Sequence, residues 1–326
     1  MKLSIISMAV AVSLVTAGTS AWAQNKLRIN MVVHSSSTNA FWQPVKRGME
    51  DACKQYKADC QLIFAQKEGD TANQLRNFQT SVAQKVDAIV VTITDNKAYD
   101  QPVEDAIKQG ITVLAFNVDD TEGADGNKRL AFVGQSFADA GYALEKSMEQ
   151  HYPPTGPIHV LVGISAPGQN WSESRGKGVM KALDEFKTKN PTRPLTYERI
   201  DSGTDLNITT QRVTAYLDKN PKTNAYFDTG FWEAGVAQAL KSKNVAPGKI
   251  TLAGFDLVPA VLDRMDEGYI QGTVDQQPYL QGYLPVAQIA LMKQYKLSAW
   301  DVNTGNSIIT KKDVAAVREL TGKGLR

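Results

Sequence analysis

The 326-residue sequence has only two cysteines and three histidines. So few ligating side chains leave no set with metal-ligand spacing, and no metal site is expected. The spacing of Cys53 and Cys60 excludes C-x-x-C redox chemistry. A structural bridge from the end of one helix to the start of the next strand is the preferred reading, with two buried thiols as the alternative.

Charge of one sign is also missing. Lys and Arg number 36 and Asp and Glu 34, a formal net charge of +2. No Lys/Arg cluster occurs, so neither nucleic acid nor an anionic membrane surface is expected as a partner. No G-x-G-x-x-G or P-loop follows any strand-like segment, and no cofactor is expected. Gly163-Ile164-Ser165-Ala166-Pro167 carries Pro where a nucleophile elbow needs its second Gly. Asp228-Thr229-Gly230 and Asp201-Ser202-Gly203 look like the paired loops of aspartic proteases, but that chemistry needs an all-β scaffold. No catalytic residues are assigned, and the chain is not expected to be an enzyme.

Long apolar runs are absent beyond the first residues. Lys2, the apolar run Leu3 to Val15 and Ala21-Trp22-Ala23 occur in the order of a signal peptide. The run is too short to span about 30 Å of bilayer as a helix. Residues 1–23 are therefore expected to be removed, leaving Gln24 first in a soluble, exported, periplasmic protein. In that oxidising compartment a Cys53–Cys60 bridge is plausible chemistry.

What is present is a rhythm. Short β-branched runs such as Ala88 to Val91 (AIVV) and Thr112 to Phe116 (TVLAF) alternate with amphipathic segments such as Phe41 to Tyr56 and Thr71 to Lys85. Asp100 to Gln109 reads as a helix ended by Gly110. The rhythm restarts near Gly134 and continues to a helix over Tyr279 to Tyr295, with about ten strands in all. Such alternation predicts an α/β fold of parallel sheets covered by helices on both faces. Two doubly wound lobes fit the uneven spacing around Pro153 and Asp201 better than one barrel. No Gly/Ser linker separates the lobes, which points to several chain crossings. No internal repeat is visible beyond the βα rhythm.

Open parallel sheets bind ligands at the carboxyl ends of their strands. Those ends carry His34, Asn39, Phe41 and Trp42; then Asn117; then Trp171 and Arg175; then Asp228, Thr229, Phe231 and Trp232; then Asp256 and Gln276. Amides, carboxylates and aromatics in this mixture suit a neutral polyhydroxy ligand, since polar groups satisfy hydroxyls and aromatic faces cover the ring.

The same residues resemble a known family, the type I periplasmic sugar-binding proteins of ABC transporters, the ribose- and galactose-binding group. The resemblance rests on LRINMVVHSSSTNAFWQPVKRGMEDACKQY, KVDAIVVTITD, ITVLAFNVD, SESRGKGVMKAL, ITLAGFDLVP and IQGTVDQQPYLQGYLPV, in this order along the chain. It implies a two-lobed fold with a multi-stranded hinge. It implies a first lobe of residues 24–134 plus about 277–305 and a second of 135–276 plus about 306–326. It implies a monomer that closes on a monosaccharide or related polyol and docks on an inner-membrane permease. The alternative is a periplasmic sensor of a small furanosyl signal or sugar that presents its closed form to a membrane receptor. Carried over residue by residue, the ligand-binding set is Asn39, Phe41, Trp42, Asn117, Trp171, Arg175, Thr229, Asp256 and Gln276. Two departures stand out. Asn117 and Val118 replace the family's Asp–Arg clamp, and Thr229 stands where ribose binders carry Asn. A lactose-repressor-like regulator would need a helix-turn-helix where the export signal lies.

Overall fold

The computed structural model describes residues 26–326, so the expected signal peptide and cleavage site lie outside the described residues. Strands β1 (Arg28–Val32), β2 (Asp59–Ile63), β3 (Ala88–Val91), β4 (Thr112–Asn117) and β5 (Phe132–Gly134) alternate with helices α1 (Trp42–Tyr56), α2 (Thr71–Ala83) and α3 (Asn96–Lys108). Then follow α4 (Phe137–Met148), β6 (Ile158–Ile164), α5 (Asn170–Lys189), β7 (Leu195–Asp201), α6 (Leu206–Lys219), β8 (Ala225–Asp228) and α7 (Glu233–Ser242). The chain ends with β9 (Thr251–Phe255), α8 (Pro259–Asp266), β10 (Ile270–Asp275), α9 (Pro278–Tyr295), β11 (Val302–Asn303), β12 (Ser307–Ile309) and α10 (Val314–Gly322).

Two six-stranded sheets result, in the orders β11-β5-β4-β3-β1-β2 and β12-β10-β9-β8-β6-β7. All pairings are parallel except β10 with β12. The two orders are equivalent, strand for strand, with β1 matching β6 and β4 matching β9. No repeat is visible in the sequence beyond the βα rhythm, yet the equivalent strands end alike: β4 closes on TVLAFN, and Asp256 follows the TLAGF of β9. The chain crosses between sheets three times: after Gly134, between Asp275 and Pro278, and between Asn303 and Ser307.

Strand alternation builds the cores. Ile29, Met31, Val90 and Leu114 face α1 and α9, whereas Val32, Ile89 and Val113 face α2 and α3. In the second lobe Val160, Phe227 and Phe255 face α4 and α5, and Leu161, Tyr226 and Leu252 face the other layer. Each lobe holds one helix pair at backbone contact. A Cβ on Gly48 of α1 would lie 2.0 Å from the Tyr279 carbonyl oxygen of α9, and one on Gly178 of α5 would lie 2.0 Å from that of Ala138 in α4.

Three expectations need correction. Twelve strands occur among the described residues instead of about ten, because β11 and β12 are too short for periodicity to mark. Helix α10 was not expected at all. Helix α3 starts at Asn96, not Asp100, because the Asp95 carboxylate accepts from the Ala98 N–H and caps it earlier. Cys53 and Cys60 form a disulfide that ties α1 to β2, with Cα atoms 6.2 Å apart. Lys57, at φ 55°, turns the chain between them and ends the helix.

Candidate ligand-binding site

The carboxyl ends of both sheets face one cavity. Eight of the nine residues singled out in the sequence line it: Asn39, Phe41, Trp42, Asn117, Trp171, Arg175, Asp256 and Gln276. Thr229 does not. Its hydroxyl turns inward to Ser165 (3.0 Å) and Ser172 (2.8 Å), and its carbonyl accepts from Arg175 Nη1 at 2.9 Å. It positions the arginine from behind. A β-strand sends successive side chains to opposite sides, so matching a motif column does not fix which way the side chain points.

Arg175 sits in an aromatic box, its guanidinium carbon 4.0 Å from the Phe255 ring centroid and 4.6 Å from that of Phe137. Its second terminal nitrogen donates to Gln135 at 3.3 Å, and its Nε finds no partner among the described residues. Burial pulls its pKa down to about 10, with Asp256 and Asp228 opposing the shift, so it stays cationic at neutral pH. Burial pushes Asp256 up, while Arg175 and a bond from Gln276 push it back. Arg175 and Asp256 make no ion pair within 4.0 Å; the two charges face the cavity separately. Asp256 Oδ1 accepts from Gln276 Nε2 at 2.6 Å, and Asn117 Nδ2 donates to Gln276 Oε1 at 3.3 Å and Gln281 Oε1 at 2.9 Å. Asn117 and Asp256 have φ of 58° and 73°. That left-handed conformation is uncommon outside glycine, and Asn and Asp tolerate it best.

Five further side chains line the cavity: His34, Glu68, Phe137, Phe231 and Trp232. His34, Phe231 and Trp232 are strand-end residues that the family motifs do not mark. Glu68 lies on the segment after β2, outside the family motifs but within reach of the strand-end rule. Phe137 opens α4 and carries no polar signal. Asn39 lines the cavity, but both ends of its amide are engaged: Oδ1 accepts from the Phe41 N–H, and Nδ2 donates to Glu68.

Across the cleft, Asn170 at the start of α5 reaches the first lobe. Its N–H donates to the Thr94 carbonyl at 3.0 Å, and its amide nitrogen to Asn96 Oδ1 at 2.6 Å, the Ile93 carbonyl at 3.1 Å and the Asp119 carbonyl at 3.2 Å. Among the described residues no group of three or more His, Cys, Asp or Glu could hold a metal ion, and no helix is long and apolar enough to cross a membrane.

Residues 29–296 match the family described as Periplasmic binding protein domain. The chain is 26% identical over 297 residues to a xylose/arabinose-binding protein of Sulfolobus acidocaldarius, covering 86% of this chain and 71% of that protein. It is 24% identical to the D-allose-binding periplasmic protein of Escherichia coli, covering 76% of this chain and 78% of the other. A carbohydrate transporter structure from Acidothermus cellulolyticus, in complex with myo-inositol, superposes with a TM-score of 0.78 at 26% identity, covering 92% of this chain and 100% of that one.

Proposed function

Because the chain belongs to the periplasmic binding protein domain family, we propose that it captures a monosaccharide or related polyol between its lobes and delivers it to an ABC permease. The observation that carries this reading is the composition of the cavity. Six aromatic side chains, Phe41, Trp42, Phe137, Trp171, Phe231 and Trp232, surround Arg175, Asp256, Asn117 and Gln276. Aromatic faces cover the C–H side of a ring, and the charged and amide groups satisfy hydroxyls around its edge. Arg175 set against Asp256 and Glu68 places both donors and acceptors around the cavity, as the hydroxyls of a neutral ring require. Relatives are named for xylose or arabinose and for allose, and one similar structure holds myo-inositol; all are of this class.

The protein works in the periplasm as a monomer. Ligand joins the two lobes, and the closed form is what the permease recognises, a hinge-closure switch. A thermal-shift screen across pentoses, hexoses and polyols tests the reading. A ligand at 1,000 times its Kd stabilises the folded state by about 4 kcal/mol. One or a few sugars should therefore raise Tm by several degrees, confirmed by calorimetry. If no sugar or polyol does so, the reading falls.

A further inference from the structure

We propose that His34 and Glu68 form a pair that reads a single ligand hydroxyl, donating to it from one side and accepting from it on the other; this rests on the sugar or polyol reading above. Neither residue belongs to the set expected from the family motifs.

The argument starts at Thr92, at the end of β3. Its Oγ1 accepts from the His34 backbone N–H at 3.1 Å and from Gln74 Nε2 at 2.8 Å. The orientation of Gln74 is fixed, because the same nitrogen donates to the Thr92 carbonyl at 2.7 Å. A hydroxyl has two acceptor lone pairs and one proton. With both lone pairs engaged, the Thr92 proton goes to His34 Nδ1, 3.0 Å away. His34 Nδ1 is then the acceptor of a neutral imidazole, and the ring proton sits on Nε2. Burial, reinforced by the Arg175 charge, holds the ring neutral.

Glu68 is oriented by a matching count. Its Oε2 accepts from Ser35 Oγ at 2.5 Å and from Asn39 Nδ2 at 3.2 Å. Asn39 cannot flip, because its Oδ1 accepts from the Phe41 N–H at 3.0 Å. Glu68 Oε1 has no hydrogen bond among the described residues and lies 3.6 Å from His34 Nε2. The loops carrying the two side chains are joined by Gly69 N–H to the His34 carbonyl and Ala65 N–H to the Ser35 carbonyl, each 3.0 Å.

A donor and an acceptor thus face the cavity 3.6 Å apart, too far for a good bond with each other. One oxygen lying about 2.8 Å from both would complete the geometry. A hydroxyl serves: it accepts from Nε2–H and donates to Oε1, as a water would before the ligand displaces it. An ether oxygen has no proton to give. An ammonium cannot accept from His34, and a carboxylate would face the Glu68 oxygen.

Two measurements test the pair. In the ligand-free protein, imidazole ¹⁵N spectra, with a His34→Asn variant to assign the signal, should show His34 as the neutral Nε2–H tautomer at pH 6. The Nδ1–H tautomer, or an imidazolium, would overturn the proposal whatever the ligand is. The second measurement is calorimetric titration with D-xylose, D-ribose, D-allose and myo-inositol. In Glu68→Gln, Ser35 and Asn39 both donate and so retain the amide oxygen, which turns the NH₂ toward His34. The variant should bind at least tenfold more weakly than wild type. Monodeoxy analogues of the bound sugar complete the cycle. Loss of one particular hydroxyl should cost wild type at least tenfold and cost the variant nothing more. Unchanged affinity in Glu68→Gln, or equal further losses at every position, would overturn the pair. If none of the four sugars binds wild type, the functional reading is what suffers, and the tautomer decides the pair alone.

Discussion

Asn117 and Asp256 occupy equivalent ends of β4 and β9, both in the left-handed conformation, and Gln276 bridges them by accepting from one and donating to the other. One is neutral and the other anionic. The carboxylate is therefore the stronger hydroxyl acceptor. Asp256→Asn keeps a residue that tolerates this φ and removes the charge. Charge-assisted bonds contribute about 1.5–3 kcal/mol and neutral ones about 0.5–1.5, so losing the difference of about 1–1.5 kcal/mol should lower sugar affinity roughly 5- to 13-fold by calorimetry. The melting temperature of the ligand-free protein should hardly move. Retained affinity would remove Asp256 from the ligand shell.

Asn170 makes four hydrogen bonds across the cleft without lining the cavity. Asn170→Ala deletes the three from its side chain and should depopulate the closed form. Any ligand that needs that form then binds more weakly by the same factor, about tenfold for a net loss near 1.4 kcal/mol. Small-angle scattering of the ligand-free variant should show a larger radius of gyration than wild type. Identical scattering and affinity would show that the contact carries no closure energy.

Glu145 is buried, its carboxyl bonded by the Tyr152 hydroxyl at 2.8 Å with the other oxygen unpartnered. Burial raises its pKa from 4.5 to about 7. The folded state therefore holds a proton that the unfolded chain releases first. Stability from this group is full below about pH 4.5 and declines as pH rises to about 7, by up to roughly 3 kcal/mol. Urea unfolding of Glu145→Gln should show no such decline, so its advantage over wild type should grow between pH 4.5 and 7. A difference independent of pH would contradict this.

The Cys53–Cys60 bridge closes a short loop. Chain-entropy arguments give about 2.5 kcal/mol for a loop of this size. Replacing both cysteines by serine should lower unfolding free energy by that order, measured by urea titration without reductant. Gly48→Ala should cost as much or more, because its Cβ would meet the Tyr279 carbonyl oxygen at 2.0 Å and backbone cannot yield cheaply.

The fold was legible because buried parallel strands announce themselves. Ala88 to Val91 and Thr112 to Asn117 are apolar runs that no other element explains. β11 and β12, of two and three residues, fall below any period. The cavity lining was legible where a residue directly follows a strand, as Asp256 follows β9, whereas Arg175 reaches the cavity from the second turn of α5. It failed at Thr229, whose side chain is drawn into the Ser165–Ser172 network. At Glu68 the strand-end rule reaches the residue but not its pairing with His34, which the β1–β2 register creates across 34 positions (68 minus 34).

The three crossings between sheets have a consequence for the ligand's task. Two bodies on one tether can slide, tilt and twist, and bringing such bodies together sacrifices freedom worth several kcal/mol. Three short connections, tied side by side by Gln135 to the Gly305 carbonyl and by Gln277 to the Thr304 carbonyl, act as a door hung on three pins. They leave one swing and little else. The unliganded protein thus searches along a single angle, and each closure presents Asp256 to Asn117 in the same alignment. A small sugar with few atoms to offer can therefore command the motion of two lobes many times its mass.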